Sequence, residues 1–255
     1  MVMPESIADI VGKKIAENFK LDYDLTFKKK FGMACSGSGD EIKKITTLHS
    51  SSLCAFLFFY NIDNKNLEME IPKIGKIIFY KSFFEFKNKV IRSPSNVDVV
   101  LLGKTKDSGK KYILFLESKF SEYITGVNNK NVKYEIGKSY FDNEYSKPVY
   151  DNCSKFDLNK TEDNHLFCSE KCYIEGLKQI ISHYVGIRNF MSGDIYDNKD
   201  SRITEVKNYY DEGADILLGE ILFDNFDSET KTEYLDCYEK KYENPRNEIL
   251  ILFKL

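Results

Sequence analysis

The sequence has no apolar stretch long enough to cross a membrane. Its longest uninterrupted apolar run, residues 53–60, has eight members, whereas a membrane-spanning helix needs about 20. Charged residues interrupt the first 19 positions, which therefore do not resemble a secretory leader. We expect a cytoplasmic protein with no membrane partner.

Cysteine is also scarce. Six cysteines in 255 residues exclude a disulfide-rich scaffold and favour reduced thiols. Four potential zinc ligands nevertheless lie within 20 residues of one another: Cys153, His165, Cys168 and Cys172. Their spacings of 12, 3 and 4 match no common zinc module, so we favour unpaired thiols and keep a zinc-stabilised interaction module as an alternative.

Internal repeats and long low-complexity tracts are also missing. A length of 255 residues fits one large domain or a domain with an appendage, and we predict a single domain over residues 1–255. We place its core at about 41–190, followed by C-terminal strands and an acidic segment at about 201–255. A run of strands, then a helix, then returning strands predicts a layered α/β fold with a mixed central sheet flanked by helices. Strands are predicted at residues 75–80, 82–90, 97–102, 112–119, 215–223 and 248–253, and helices at residues 5–19, at 170–189, from residue 41 or 50 to 60, and on the exterior within 224–246.

Charge is distributed unevenly along the chain, although the net charge is only −3. Residues 72–111 contain ten bases and three acids, a net of +7, and residues 201–248 contain six bases and thirteen acids, a net of −7. A phosphate-facing side with a solvated opposite side would produce this pattern. Exposed lysines on ordinary strands and loops would produce it equally well.

The most informative segment, residues 96–120, predicts a β-hairpin. Two apolar strands flank a turn that carries the Asp and Gly of tight reversals. If the turn is centred between Asp107 and Ser108, the numbers of paired residues sum to 215, and Asp98 lies opposite Glu117. Their Cβ atoms would then be about 5 Å apart, close enough for both carboxylates to bind one divalent cation.

Lys119 follows Glu117 by two positions and is expected on the same face of the strand. Both hairpin strands are apolar on both faces, which predicts a sheet covered on both sides. Charged residues in such strands are costly unless they are paired or bind a cation. The pattern acid-x-Lys occurs eight times in the chain, but only Glu117-Ser118-Lys119 closes a strongly apolar strand with an acid on the adjoining one.

Residues 92–98, RSPSNVD, followed by the strand ending Glu117-Ser118-Lys119, resemble the core of the PD-(D/E)xK nuclease superfamily. The segment LESKFSEY and the helix that follows His49 also resemble a little-characterised bacterial group within it. The resemblance covers about residues 49–123, and extends to the helix around Gln179. One departure is that three residues separate Pro94 from Asp98, whereas the two are adjacent in the family motif.

The resemblance implies a restriction-endonuclease-like fold and an endonuclease that hydrolyses DNA phosphodiester bonds. It implies that Asp98 and Glu117 bind Mg²⁺ or Mn²⁺, together with the backbone carbonyl of Ser118. Lys119 would orient the attacking water and stabilise its hydroxide form. Carboxylate oxygens suit these hard cations, and a homodimer is plausible for cleavage of both strands.

Two other interpretations of these residues stay open. Asp98 and Lys119 could form an ion pair at the strand end, beside an exposed Glu117. Alternatively, the protein could have a nuclease fold without catalysis and bind nucleic acid or a protein partner.

Five further residues are secondary candidates. His49 could contact a phosphate or help to cap a helix. Gln179, with His183 or Tyr184, could reach the site from the downstream helix, although rim and core positions are the ordinary role of such residues. Glu85 could supply an extra carboxylate or a surface charge.

Overall fold

A computed structural model of the chain describes residues 6–36, 40–46, 50–71, 73–91, 94–119, 135–136, 144, 147, 158–160, 166–168, 175–222 and 249–254. The helices are α1 (Ile7–Asn18), α2 (Leu25–Ala34), α3 (Glu41–Ile45), α4 (Ser51–Phe59), α5 (Glu175–Met191) and α6 (Ser201–Asp211). The strands are β1 (Leu67–Ile71), β2 (Gly75–Asn88), β3 (Ser95–Thr105), β4 (Lys111–Lys119), β5 (Glu135–Ile136), β6 (Leu158–Lys160), β7 (Leu166–Cys168), β8 (Asp215–Leu222) and β9 (Ile249–Lys254).

The central sheet is mixed, with strand order β1-β2-β3-β4-β8-β9. Strands β1 to β4 pair antiparallel, β8 joins β4 in parallel, and β9 pairs antiparallel with β8. A parallel neighbour requires a crossover connection, and helices α5 and α6 lie in the chain between β4 and β8. The predicted mixed α/β architecture is confirmed. Strands β5, β7 and β6 form a separate small sheet.

Four helices begin at residues whose side chains can accept a hydrogen bond from the first turn. Ser6, Asp24, Ser50 and Asp200 each accept one from a backbone N–H two or three positions later. Such caps satisfy donors that the helix leaves unpaired. The helix predicted over residues 5–19 is confirmed as α1, and the one ending near residue 60 is confirmed as α4, with α3 as a separate short helix.

Apolar side chains cover the central sheet on both faces, as the two-sided strands predict. The first apolar layer joins the sheet to α1, α2 and α4 and includes Phe27, Phe31, Phe56, Phe84 and Val99. The second apolar layer joins it to α5 and α6 and includes Phe83, Phe86, Phe115, Phe190 and Val206. Burial of this apolar surface is the main stabilising contribution to the fold.

Strand β2 is longer than predicted. The strands expected at residues 75–80 and 82–90 are two halves of β2, separated by an irregularity between Phe79 and Lys81. A buried lysine stabilises this point: Lys30 Nζ lies 2.7 Å from Asp63 Oδ1, which also accepts a hydrogen bond from the Ser82 N–H at 3.0 Å. The irregularity is thus held in place by a side chain from α2.

Some of the opposite charges that are separated in the sequence form ion pairs in the described part of the fold. Within residues 72–111, the following lysines pair with acids outside that block: Lys76, Lys81, Lys89, Lys110 and Lys111. Three of the acidic partners lie in the negatively charged segment 201–248: Glu205, Glu212 and Asp215. This pairing weakens the support that charge distribution lends to a phosphate-binding face.

Several sequence predictions concern parts of the chain outside the described residues. These are the acidic segment 224–246, the first residues of the helix predicted at 170–189, and three of the four potential zinc ligands. The fourth, Cys168, lies in β7. Among the described helices, none is long and apolar enough to cross a membrane.

Helix α5 approaches β2 closely at a glycine. A Cβ atom added at Gly186 would lie 2.7 Å from the Cβ of Asn88, so we expect Gly186→Ala to shift α5 and destabilise the protein by about 1–3 kcal/mol. The matched control is Gly32→Ala in α2, where nothing lies within 4 Å of the added atom. Urea unfolding should separate the two variants, and equal stabilities would contradict the expectation.

Candidate functional site

The β3–β4 hairpin has the register that the sequence predicts. Pairs run from Lys104–Lys111 to Val99–Leu116, and each pair of numbers sums to 215. Asp98 and Glu117 are the next positions along the two strands. Their predicted juxtaposition at this end of the sheet is therefore consistent with the observed ladder.

Glu117 and Lys119 form a buried ion pair. Lys119 Nζ donates a hydrogen bond to Glu117 Oε1 at 2.8 Å. Lys119 is 6% exposed and Glu117 is 3% exposed. The predicted placement of both on one face is confirmed. The alternative interpretation placed an exposed Glu117 beside an Asp98–Lys119 pair; its exposed Glu117 is wrong, because Glu117 is buried and pairs with Lys119.

Helix α5 contributes two side chains to this ion pair. Gln179 Oε1 accepts a hydrogen bond from Lys119 Nζ at 2.8 Å. His183, which is 2% exposed, places Nε2 2.8 Å from Glu117 Oε2. Of the candidates on this helix, Gln179 and His183 therefore reach the site, whereas Tyr184 packs against the second apolar layer.

Asp98 occupies the end of the hairpin ladder. Its Oδ2 accepts a hydrogen bond from the backbone N–H of Ser118 at 2.7 Å. The side-chain carboxylate thus takes the place of a backbone carbonyl as the acceptor for this N–H. The Ser118 hydroxyl lies on the other face and donates to the carbonyl of Ser51 in α4 at 2.9 Å. Asp98 is thus attached to the strand that carries Glu117 and Lys119.

Glu85 faces Asp98 across strands β2 and β3. The ladder pairs Phe84 with Val99 and Phe86 with Val97, which leaves these two acids between them. Phe84 and Phe86 would share a face in a regular strand, yet they lie in the first and second apolar layers respectively. Glu85 has a φ of 49°, a left-handed conformation that is uncommon outside glycine and often marks functional sites.

Burial, together with neighbouring charges, shifts the pKa values of these acids. Burial, followed by the charges of Glu117 and Glu85, raises the pKa of Asp98 well above its ordinary value. Burial, followed by the charges of Glu41 and Glu117, raises the pKa of Glu85 to about 8. Burial alone would also raise the pKa of Glu117, but Lys119 and His183 outweigh it and lower that pKa to about 2. A bound cation would relieve the crowding of negative charge.

Two acids at the site have no role in the sequence-based prediction. Glu41 in α3 is buried next to Glu85, whose pKa it raises. Glu220 in β8 is fully buried and pairs with Glu117 in the parallel ladder, so the two side chains share the face that α5 covers. An acid within the apolar stretch DILLGEILF is the signal that could have drawn attention to Glu220.

Within the part of the chain that the structure describes, no group of three or more His, Cys, Asp or Glu side chains is arranged to hold a metal ion. The sequence candidate His49 lies outside the described residues, as do Arg92 and Ser93 of the resembling segment.

Comparisons with known proteins identify no relative. No family model, no curated protein and no solved structure matches the chain. The resemblance to PD-(D/E)xK nucleases therefore depends on the residues of this chain alone.

Proposed function

We propose that the protein is a cytoplasmic metal-dependent endonuclease with a PD-(D/E)xK, restriction-endonuclease-like fold that hydrolyses DNA phosphodiester bonds. One observation carries the proposal: Asp98, Glu117 and Lys119 meet at one end of the central sheet. Lys119 contacts Glu117 directly, and Glu117 is the charged neighbour that most raises the pKa of Asp98. This is the combination of acids and amine that the resemblance implies.

The residues at this sheet end fit Mg²⁺ or Mn²⁺. Asp98, Glu117 and the Ser118 carbonyl offer the hard oxygen ligands that these cations prefer, and Glu85 adds a further carboxylate nearby. Glu117 accepts one hydrogen bond on each oxygen. Because a carboxylate has about four acceptor positions, these two bonds still leave room for a cation. When bound, the ion would acidify a water and offset charge on the phosphate.

In the proposed reaction, Lys119 would position the attacking water. Its ammonium is anchored by Glu117 and by Gln179, which limits its movement. A compact positive charge held beside the acids can orient a water and favour its hydroxide form. Gln179 would thus act on the reaction by holding Lys119 in place.

The proposal is tested by incubating the purified protein with duplex, single-stranded and branched DNA in Mg²⁺ or Mn²⁺. We expect nicking or cutting of at least one substrate, and EDTA should abolish it because the attacking water and the phosphate both depend on the ion. Absence of cleavage on every substrate with both metals would contradict the proposal.

The alternative is a nuclease-fold protein that binds nucleic acid or a protein partner without catalysis. The near-complete burial of Glu117 and Lys119 favours this alternative, because a substrate phosphate would have to reach the site. It predicts DNA or partner binding that is unchanged by Glu117→Gln and is not followed by cleavage. Light scattering with and without DNA would test whether the protein forms the homodimer that cleavage of both strands makes plausible.

A further inference from the structure

His183 and Ser95 form a hydrogen-bonded chain behind Glu117. His183 in α5 contacts Glu117 Oε2 through Nε2 at 2.8 Å, and its Nδ1 is hydrogen-bonded to Oγ of Ser95, the first residue of β3. All three side chains are buried. We propose that His183, held by Ser95, is a positioning residue that orients Glu117 towards the metal ion, an inference that rests on the proposed nuclease function.

The two contacts define where the imidazole proton lies. If neutral His183 carried its proton on Nδ1, the lone pair of Nε2 would point at the Glu117 carboxylate. With the proton on Nε2, His183 donates to Glu117, and Nδ1 accepts from the Ser95 hydroxyl. Both ring nitrogens and the Ser95 hydroxyl then have a partner. The Glu117 carboxylate can only accept and therefore selects the Nε2–H tautomer, whereas the Ser95 hydroxyl can donate or accept and here satisfies Nδ1.

Glu117 is held from both sides by this arrangement. Lys119 occupies Oε1 and His183 occupies Oε2, so rotation of the carboxylate about its last bond would break both bonds. Residues that hydrogen-bond a metal ligand orient it, and their loss typically costs about 10- to 100-fold in metal affinity or activity. His183 would play this part for Glu117.

The position of His183 is set by the docking of α5 on β2. Gly186, almost one turn later, lies against Asn88, and Asn189 Nδ2 donates to the carbonyl of Lys89 at 3.0 Å. Asn88 pairs with Ser95 in the β2–β3 ladder. The helix and the serine are therefore fixed to the same end of β2, so their hydrogen bond is maintained by backbone packing.

A purely structural role is the competing explanation. The neighbours of His183 on α5, Ile180 and Ile187, belong to the second apolar layer, where a buried histidine with two satisfied nitrogens could simply stabilise the packing. The two roles differ in one respect. A positioning residue affects metal binding by Glu117, whereas a packing residue affects the free energy of unfolding alone.

Mn²⁺ titration calorimetry without DNA separates these roles. We expect His183→Leu, which removes the donor, to weaken Mn²⁺ binding by about 10- to 100-fold. His183→Gln restores an N–H near the position of Nε2 and should recover most of the affinity. The matched control is Ile187→Val on the same face of α5, which should cost about 0.5–1.5 kcal/mol of stability and leave Mn²⁺ affinity unchanged.

The imidazole itself supplies a second readout. The chain has three histidines, so long-range ¹H–¹⁵N spectra of wild type and His183→Gln assign the His183 signals. We expect the Nε2–H tautomer, and Ser95→Ala should shift the Nδ1 resonance. The Nδ1–H tautomer in the wild type would overturn the proposal even if His183→Leu fails to fold.

The outcomes distinguish this inference from the nuclease proposal. Equal Mn²⁺ affinity of His183→Leu and wild type, a gain in affinity, or no recovery in folded His183→Gln would overturn the positioning role. If affinity depends on His183 but the wild type cleaves no DNA, the nuclease proposal fails and the positioning role stands. Absence of Mn²⁺ binding by the wild type would overturn both.

Discussion

Lys119→Met is expected to abolish metal-dependent DNA cleavage, with a loss of at least about 10³-fold. The substitution preserves the length of the side chain but removes the charge that would stabilise hydroxide. It also leaves Glu117 buried with one hydrogen-bonding partner fewer. Stranding a buried charge typically costs about 3–5 kcal/mol, so loss of stability accompanies the loss of activity in this variant.

The double variant Glu117→Gln/Lys119→Met separates activity from stability. Replacing both members of a buried ion pair by neutral groups is often tolerated, so its free energy of unfolding should be closer to the wild type than that of Lys119→Met. Cleavage should still be absent, because a metal ligand and the ammonium are both removed. Rates of plasmid nicking and urea unfolding measure the two effects.

An exposed ion pair supplies the matched control. Lys76 Nζ lies 2.8 Å from Glu68 Oε1 across β1 and β2, and both side chains are largely exposed. The double variant Glu68→Gln/Lys76→Met should retain full cleavage and change stability by no more than about 1 kcal/mol. Cleavage by the Glu117/Lys119 double variant at the wild-type rate would identify a contaminating nuclease or a different active site.

Removing the charge of Glu85 should change how stability depends on pH. The pKa of Glu85 rises from an ordinary 4.5 to about 8 in the folded protein. Between these values the folded state retains a proton that the unfolded chain has released, so the free energy of unfolding falls as pH rises. For Glu85 the full effect is on the order of 3–5 kcal/mol, and Asp98, whose pKa is also raised, acts in the same direction.

Glu117 acts in the opposite direction over a lower range. Because its pKa falls to about 2 in the folded protein, its contribution to stability is present above the unfolded value and is lost as pH falls towards 2. The three acids together predict maximum stability near pH 4 and a decline from there towards pH 8 in the absence of metal.

Glu85→Gln, measured by urea unfolding in EDTA from about pH 5 to about pH 8, should flatten this decline and stabilise the protein most at the upper end. Glu70→Gln, an exposed position in β1, is the control and should leave the profile unchanged. Mg²⁺ should stabilise the wild type at pH 8, by about 2.7 kcal/mol at 100 times its dissociation constant. An unchanged slope in Glu85→Gln would show that the pKa of this carboxyl is not raised in the folded state.

Local sequence patterns were sufficient for the hairpin at the centre of the site. Its turn residues predict the register, and the two-residue period of a strand predicts that Glu117 and Lys119 share a face. Both features are confirmed. They could be predicted because they depend on residues less than 25 positions apart. The coverage of both sheet faces also follows from strands without polar alternation.

The charge blocks show where such reasoning fails. Residues 72–111 and 201–248 have opposite net charges, yet Lys110 and Lys111 pair with Asp215 and Glu212. Pairing of β8 with β4 brings these residues together. The net charge of a segment does not show which segments pair in the fold. A charge asymmetry along a chain therefore does not imply an asymmetry on its surface.

The chain order and periodicity of the residues thus specify the hairpin and the two-sided sheet, since these depend on short-range geometry and apolar patterning. The surroundings of Glu117 depend on long-range packing. Glu220 reaches it through the parallel β4–β8 ladder, His183 and Gln179 through the docking of α5, and Glu85 through a local conformation with positive φ. These contacts set the pKa values and the orientation of the acids, and they form only when distant segments fold against one sheet.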